Sequence, residues 1–385
     1  MKIFNTHIPS YEEALEIVKS NDTFYETKHK VDEYNVSTFN YRLSTYDDFI
    51  NPIKGKDVNA KEMRSICYVF NNDGTYKTYL ALQKFWNLNQ VEETMYGVVK
   101  NYDVVEIHDK ADGSLCSFIK LPNGKVVGKT QNSFDNEQTE IINDLYKFDD
   151  KIQDFIEWCE SNNYSAIFEF VSFKNKIVLD YDKSELILLK VRNNTTGEYI
   201  EDYDSMGLKT VKKEEILSID QIVKLTETTT NKEGWVITLK RPDDFYSMIK
   251  IKTVWYCDRH NLLTNESNRE DYIIKLVLEE SIDDLIAQLD PISDKDKINR
   301  IKDIISITKD YLNLRMKEVD ELVSKYDGNI KDYAIKYKKD KNFSMAISII
   351  RGRIDSFTAV KKFLLKETSH LGKARYFVKN RKLNR

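Results

Sequence analysis

The sequence predicts an α+β domain followed by an all-α domain, and three observations carry that expectation. Strand-like apolar runs separated by turn signals recur from about Tyr34 to Tyr256. After about Asp258 those signals fade, and apolar residues recur at helical spacing instead. A polar stretch, HNLLTNESNRED, lies where the pattern changes, which sets a boundary near residues 258–268 and domains at 1–257 and 258–385.

The elements follow in order. Residues 10–20, SYEEALEIVKS, read as a short helix with Ser10 as N-cap and Glu13 three residues on, the pattern of a capping box. Strand runs stand at Ile66–Phe70, Val104–Ile107, Leu115–Leu121, Ala166–Phe173, Leu186–Val191, Trp235–Leu239 and Met248–Tyr256. Asn72-Asp73-Gly74, Pro122-Asn123-Gly124 and Asn194–Gly197 supply turns between them, and Asn123-Gly124 between two apolar runs reads as a hairpin. Residues 136–163 read as helix inserted among the strands. Beyond the boundary, 270–288, 294–326, 329–339 and 342–368 show helical periodicity.

Composition bounds the function classes. The chain has 385 residues, 41% of them hydrophobic, enough for two domains with cores of their own. The 59 basic and 63 acidic residues give a net charge of −4, so any surface for a polyanion must be local. The four cysteines, Cys67, Cys116, Cys159 and Cys257, form no C-x-x-C pair and stand in no His cluster, which argues against structural zinc and for a reducing compartment. The N-terminus lacks an apolar h-region and no apolar run reaches membrane-spanning length. The expectation is a soluble cytoplasmic protein with no membrane partner.

The sharpest local signal is Lys110-Ala111-Asp112-Gly113-Ser114, placed between two strand runs. A lysine on such a turn can project into a cleft, and glycine lets a backbone or ligand come close. By composition about one chain in ten of this length carries K-x-D-G by chance, so an ordinary hairpin with a solvated lysine is the bland alternative. Glu169 stands within the apolar run Ala166–Val171, where a carboxylate is costly unless paired or metal-bound. Glu233-Gly234 precedes the strand from Trp235, and a plain turn explains it equally well in isolation. Lys250 and Lys252 alternate with Ile249 and Ile251, so period 2 puts both ammonium groups on one strand face. They repel unless an anion such as a triphosphate joins them; the alternative is a solvated charged face. Arg64 and the run Lys84-Phe85-Trp86 add cations beside aromatics, with core packing the alternative for both rings.

Taken in order, Lys110-x-Asp112-Gly113, Phe168-Glu169-Phe170, Glu233-Gly234 and Lys250-x-Lys252 resemble the covalent nucleotidyltransferases: DNA ligases, RNA ligases and mRNA capping enzymes. Within that superfamily the chain is most similar to the bacteriophage RNA ligase 1 family, of the tRNA-repair type. The closer signals are Lys84-Phe85-Trp86-Asn87-Leu88-Asn89, Lys110–Ser114, Ile177-Val178-Leu179, Thr196-Gly197-Glu198-Tyr199-Ile200 and Lys250–Tyr256. The resemblance runs from about Tyr34 to Asp284. It implies an antiparallel-sheet nucleotidyltransferase domain, followed by a helical domain that helps select tRNA.

The resemblance also implies a reaction. Lys110 attacks the α-phosphate of ATP, AMP passes from the lysine to an RNA 5′-phosphate, and an RNA 3′-hydroxyl then displaces AMP. A free lysine has a pKa of about 10.4 and is a poor nucleophile at neutral pH, so cations around it are expected to favour its neutral form. Lys250, Lys252 and Arg64 are the expected cations. Glu169 and Glu233 are expected to hold Mg2+ or Mn2+, with Asp283 as an outer metal residue. Matching positions put Arg64, Lys84, Asp112, Gly113, Gly234, Lys250, Lys252 and Tyr256 at the nucleotide. Trp86 and Phe85 are expected as a stacking wall for adenine, and Phe39 as an aromatic neighbour of the nucleotide. Where the family carries a Lys-Ser-Lys-Gly-like segment after the hairpin, this chain reads Lys129-Thr130-Gln131-Asn132, so either Lys129 covers the role of the second lysine or the contact is lost.

Residues 361–385 hold nine Lys or Arg and one acid, Glu367, with Tyr376 and Phe377 among them. Cations interleaved with aromatics suit RNA, and a solvated terminus is the alternative. The expected partner is RNA, a tRNA with a broken anticodon loop, met by a monomer in the cytoplasm of a phage-infected host. A DNA ligase or capping enzyme usually adds an OB-fold after the Lys-x-Lys motif, where this sequence reads helical. A non-catalytic RNA-binding module would not need Lys110, Glu169, Glu233, Lys250 and Lys252 together.

Overall fold

The computed structural model describes residues 4, 6–173, 179, 181–259, 270–289 and 293–368. The chain forms two compact units, Met1–Asn261 and Leu262–Arg385. Among the described residues the strands lie in the first unit, in three sheets, and the second unit is helical. The fold is α+β with antiparallel sheets, followed by a helical C-terminal region.

The first sheet is an antiparallel meander of β1 (Phe24–Val31), β2 (Tyr34–Tyr41), β3 (Ile66–Phe70) and β4 (Tyr76–Tyr79). Helix α1 (Tyr11–Ser20) has the expected capping box: the Ser10 N–H donates to Glu13 Oε2 at 2.8 Å, and the Glu13 N–H donates to Ser10 Oγ at 3.2 Å. It buries Ala14 and Ile17 in a core shared with α2 (Tyr46–Ile50) and with Phe24, Phe39 and Tyr68 of the sheet.

The second sheet has the order β11-β10-β9-β7-β8, built from β7 (Ser114–Lys120), β8 (Val126–Thr130), β9 (Tyr164–Val171), β10 (Glu185–Asn193) and β11 (Tyr199–Ile200). The Asn123-Gly124 turn joins β7 to β8 as a hairpin. Past the short α3 (Tyr96–Val99), helices α4 (Glu137–Phe148) and α5 (Asp150–Ser161), the expected insertion, cover one face, where Phe168 and Phe170 are buried against Phe155 and Ile156. Burying each such side chain contributes about 1.5–3 kcal/mol, so a one-residue slip of β9 would cost several kcal/mol. That register sends Ile167 and Glu169 to the opposite face.

The third sheet has the order β5-β13-β12-β6, from β5 (Trp86–Asn87), β6 (Asp103–Asp109), β12 (Gly234–Lys240) and β13 (Tyr246–Lys252). Its pairings are antiparallel except β13 with β5. Ile249 and Ile251 join Ile237 and Leu239 in a core closed by α6 (Ile219–Thr228). Met248 lies on the other face, in a cluster with Phe85, Leu82, Ile167 and Tyr199. The second and third sheets therefore meet through Ile167 and Met248. Farther along the same two strand faces stand Glu169 on one and Lys250 and Lys252 on the other.

The expected strand Met248–Tyr256 needs correction: β13 stops at Lys252, and Val254–Arg259 is a helix, α7. Val254, Trp255 and Tyr256 read as strand formers, but Thr253 turns the chain: its N–H donates to the Glu233 carbonyl at 2.9 Å, and its hydroxyl receives the Tyr256 N–H at 3.1 Å. In the second unit the described helices are α8 (Glu270–Leu278), α9 (Ile282–Ala287), α10 (Lys295–Val323), α11 (Ile330–Tyr337), α12 (Phe343–Ile350) and α13 (Ser356–Thr368). Part of the expected boundary, residues 260–268, and the end of the basic tail, 369–385, lie outside the described residues.

Candidate active site

Lys110 sits where the chain leaves β6 of the third sheet and enters β7 of the second. Its N–H donates to the Gly234 carbonyl at 3.0 Å, which fixes the crossover to the start of β12. Its ammonium lies 2.9 Å from Glu233 Oε2, and Lys252 reaches Glu233 Oε1 at 3.1 Å. The Glu233 side chain is only 3% exposed, whereas Lys110 retains 23%, so the lysine is the solvent-facing member of the trio. Sequence reasoning expected an anion to join the lysines. That expectation concerned Lys250 and Lys252; Glu233 instead joins Lys252 to Lys110, so Lys110 meets a carboxylate rather than cations alone.

The two glycines of the motifs are required by close approach. A Cβ on Gly113 would stand 2.3 Å from the Phe170 carbonyl oxygen, and one on Gly234 would stand 2.1 Å from that of Ile251. Both fall inside van der Waals contact with backbone, which cannot move without breaking strand pairing. Gly113 lets the Lys110 loop lie on β9, and its N–H donates to Glu169 Oε1 at 3.2 Å. Glu169 has its carboxyl pushed up to about 7, chiefly by burial and further by the Glu233 charge, while Lys110 and Arg64 pull it down.

Asp112 is 3% exposed and acts as a clamp. Its carboxylate accepts the Tyr256 hydroxyl at 2.9 Å and the Leu179 N–H at 2.9 Å, while its own N–H donates to the Tyr181 hydroxyl at 3.1 Å. Tyr256, expected at the nucleotide, is thus buried against the Lys110 loop, with the Lys252 ammonium 5.0 Å from its ring centre. Tyr181 was not singled out from sequence, although it follows the Ile177-Val178-Leu179 signal closely. Ile177 and Val178 themselves lie outside the described residues.

A second ion pair runs outside the first. Asp109 and Lys232 precede Lys110 and Glu233 in the chain, and Lys232 pairs with Asp109 and, at 2.9 Å, with Glu214. The alternation Asp-Lys on one strand end and Lys-Glu on the other therefore gives two crossed pairs, one facing the cleft.

Lys250 lies 5.4 Å from the Phe85 ring centre, and the Arg64 guanidinium lies 5.6 Å from it. The ring carries both cations along one wall of the site. Arg64 Nη1 donates to the Gln83 carbonyl at 3.3 Å, while its Nε is buried with no hydrogen-bond partner among the described residues. Lys84 is 7% exposed, its ammonium 4.9 Å from the Tyr41 ring and 5.4 Å from that of Phe49.

Two expected aromatic neighbours of the nucleotide are corrected. Phe39 is fully buried among Tyr11, Tyr68 and the α1 core. Trp86 is 3% exposed and packs edge-on to Tyr46 and Phe49. Both rings belong to the core of the first sheet, because β2 and β5 turn these positions toward α1 and α2. Of the metal candidates, Glu169 and Glu233 are near enough for their charges to interact, and Asp283 lies in the first turn of α9 of the second unit. Among the described residues no group of three or more His, Cys, Asp or Glu side chains is arranged to hold a metal.

The model of the RNA ligase family matches residues 62–256, about half of the chain, and covers the whole constellation. The chain belongs to the RNA ligase family. An inferred RNA ligase of Thermovibrio ammonificans is 27% identical over 338 residues, 86% of this chain and 84% of that protein. An archaeal ATP-dependent RNA ligase superposes with a TM-score of 0.48 at 13% identity, over 83% of this chain and 81% of that one. A Naegleria gruberi RNA ligase variant with ATP and Mn superposes over 41% of this chain and 52% of that one, with a TM-score of 0.32 at 14% identity. Among the described residues of this RNA ligase-family chain, no helix is long and apolar enough to cross a membrane.

Proposed function

We propose that this RNA ligase-family protein is ATP-dependent and uses Lys110 as its covalent AMP acceptor. The observation that carries the reading is the solvent-facing Lys110 ammonium, held 2.9 Å from buried Glu233 on a loop that Gly113 packs against Glu169. The amine, once it has given up its proton, attacks the α-phosphorus; a P–N bond forms, the P–O bond to pyrophosphate breaks, and the phosphoramide is the intermediate. An RNA 5′-phosphate oxygen then takes the AMP, and an RNA 3′-hydroxyl displaces AMP to form the phosphodiester. Lys250, Lys252 and Arg64 stabilise charge on the phosphoryl oxygens and the leaving pyrophosphate.

A Glu169 carboxyl pushed up to about 7 beside a second carboxylate is a group that gains from a nearby cation, so Glu169 and Glu233 fit a divalent ion. Mg2+ or Mn2+ held there would neutralise phosphate charge, with substrate oxygens and water completing its oxygen shell. The helical unit and the basic residues at the end of the chain support a structured RNA as substrate, and tRNA with a broken anticodon loop is the proposed class.

The test is incubation with α-labelled ATP. The wild-type chain becomes labelled through an acid-labile bond, and Lys110→Ala does not. Label persisting at another lysine in that variant would overturn the assignment. Sealing of a cleaved anticodon stem-loop, set against nicked duplex DNA, tests the substrate class.

A further inference from the structure

Lys129 is 1% exposed, and among the described residues it has no carboxylate at ion-pair distance. Burial lowers its pKa, opposed only by the Cys67 and Cys116 thiols. A buried cation without a counter-ion is costly and needs a reason to be there. Its ammonium donates to the Ser65 hydroxyl and lies 3.5 Å from the Ser65 carbonyl oxygen.

Ser65 has a left-handed backbone, φ 69°, a conformation that non-glycine residues rarely hold without support. Its N–H donates to the Phe39 carbonyl at 2.9 Å, and its hydroxyl donates to the Gln131 carbonyl at 2.9 Å while accepting from Lys129. Asn40 Nδ2 donates to the same Gln131 carbonyl at 3.1 Å. The segment after the hairpin thus meets the first sheet at the residue that follows Arg64. Two residues before Arg64, the Glu62 carboxylate is gripped by the fully buried Arg192 at 2.7 and 2.8 Å, and Arg192 also donates to the Gly197 carbonyl at 3.1 Å. The Thr196–Ile200 signal of the sequence belongs to this anchor. Arg64 is therefore held from both sides, and its Nε is left buried without a partner among the described residues.

We propose that Lys129 is a positioning residue: it acts through the left-handed turn at Ser65 to aim the Arg64 guanidinium at the nucleotide phosphates, and does not touch the nucleotide itself. This rests on the reading that Arg64 serves Lys110–AMP formation. Ser65 lies between Lys129 and Arg64, which is why the lysine can be sealed from solvent and still matter. A neutral residue of the same length leaves the kink without its ammonium donor, so Arg64 spends less time in the productive pose.

The test measures kcat and KM for Lys110–AMP formation in the full-length chain and in Arg64→Ala, Lys129→Met and the double variant. Arg64→Ala is expected to lower kcat/KM by roughly a hundredfold and Lys129→Met by roughly tenfold. The double variant should be no slower than Arg64→Ala alone, because the second change acts only through the first. Losses that multiply in the double variant, or a wild-type rate in Lys129→Met, overturn the proposal. Should Lys129→Met fail to fold, Ser65→Ala alone and with Arg64→Ala is read the same way. An Arg64→Ala chain that labels normally would remove the role of Arg64 and this inference with it, and a wild-type chain that never labels would remove the ligase mechanism, so the failures are distinct.

Discussion

At the scale of single residues, Glu169 shows how a costly group is kept. Its neighbours Phe168 and Phe170 anchor β9 against α4 and α5, and the strand's period of 2 leaves Glu169 facing the Lys110 loop. With its carboxyl raised to about 7, the folded chain holds a proton there that the unfolded chain has released above the ordinary carboxylate range. This group's contribution to stability is therefore full at low pH and is lost as pH rises through about 7. Thermal melts across that range should show the loss, and Glu169→Gln should flatten it. Stabilisation by added Mg2+ or Mn2+ should grow as pH rises through about 7 and shrink in the same variant; equal metal shifts in both proteins would remove Glu169 from the metal site. Glu233→Ala, which leaves Lys110 and Lys252 without their shared anion, and Lys252→Ala should each lose about a hundredfold or more in at least one chemical step while remaining folded. Single-turnover adenylylation and sealing assays check this, and wild-type rates would make both residues ordinary strand-end residues. Residue type singles out Lys110, Glu169, Glu233, Lys250 and Lys252 as candidates in the sequence, because a charge in an apolar or like-charged setting needs a partner. Phe39 and Trp86 misled because an aromatic suits a core as well as a cleft, and its own letter does not say which side of a sheet it takes. Ser65 gave no signal at all: a left-handed serine is a property of its surroundings.

At the scale of elements, alternation was the readable part. Ile249 and Ile251 fill one face of β13, and Lys250 and Lys252 take the other, as their spacing implies. Less readable is β1, where FYETKHKV carries Glu26, Lys28, His29 and Lys30 on a mostly half-buried edge strand, so polar letters hide an extended segment. Helix α6 is equally hard to read, although Ser218 and Gln221 make a capping box, because its apolar residues are confined to Ile219–Leu225 and the last turn is Thr226-Glu227-Thr228. The end of β13 was misread for a different reason: Thr253 caps a helix whose first residues favour strands by type. The pairing of Gly234 with Lys252 across β12 and β13 yields a further expectation. Gly234→Ala would push a methyl group to 2.1 Å from the Ile251 carbonyl oxygen, so the strands must separate there. A loss of about 1–3 kcal/mol in urea denaturation, with weakened Lys110–AMP formation, is the expected result. An unchanged midpoint would show that the strand ends can yield.

At the scale of the whole molecule, the residues proposed for the chemistry and the basic end of the chain fall in different units. Lys110, Glu169, Glu233, Lys250 and Lys252 lie within Met1–Asn261, and the basic segment lies within Leu262–Arg385. The basic stretch 361–385 overlaps the helical span expected to end at 368, and its first part completes α13, where Leu364 is 3% exposed and Lys361 reaches Glu280 at 3.1 Å. A deletion meant to test RNA contact should therefore begin after Thr368, so that the core of the helical unit stays filled. It removes Lys373, Arg375, Lys379, Arg381, Lys382 and Arg385. If these cations meet RNA phosphates, log Kd against log salt should flatten by up to about 4, since a single strand releases roughly 0.7 counterion per neutralised phosphate. Lys110–AMP formation should stay at the wild-type rate, because every group assigned to that step remains. Preference for a cleaved anticodon stem-loop over an unstructured strand should fall in a chain ended at Asn261. An unchanged salt slope in the first deletion would make the tail a solvated terminus. An unchanged preference in the second would place substrate choice within the sheets that carry Lys110.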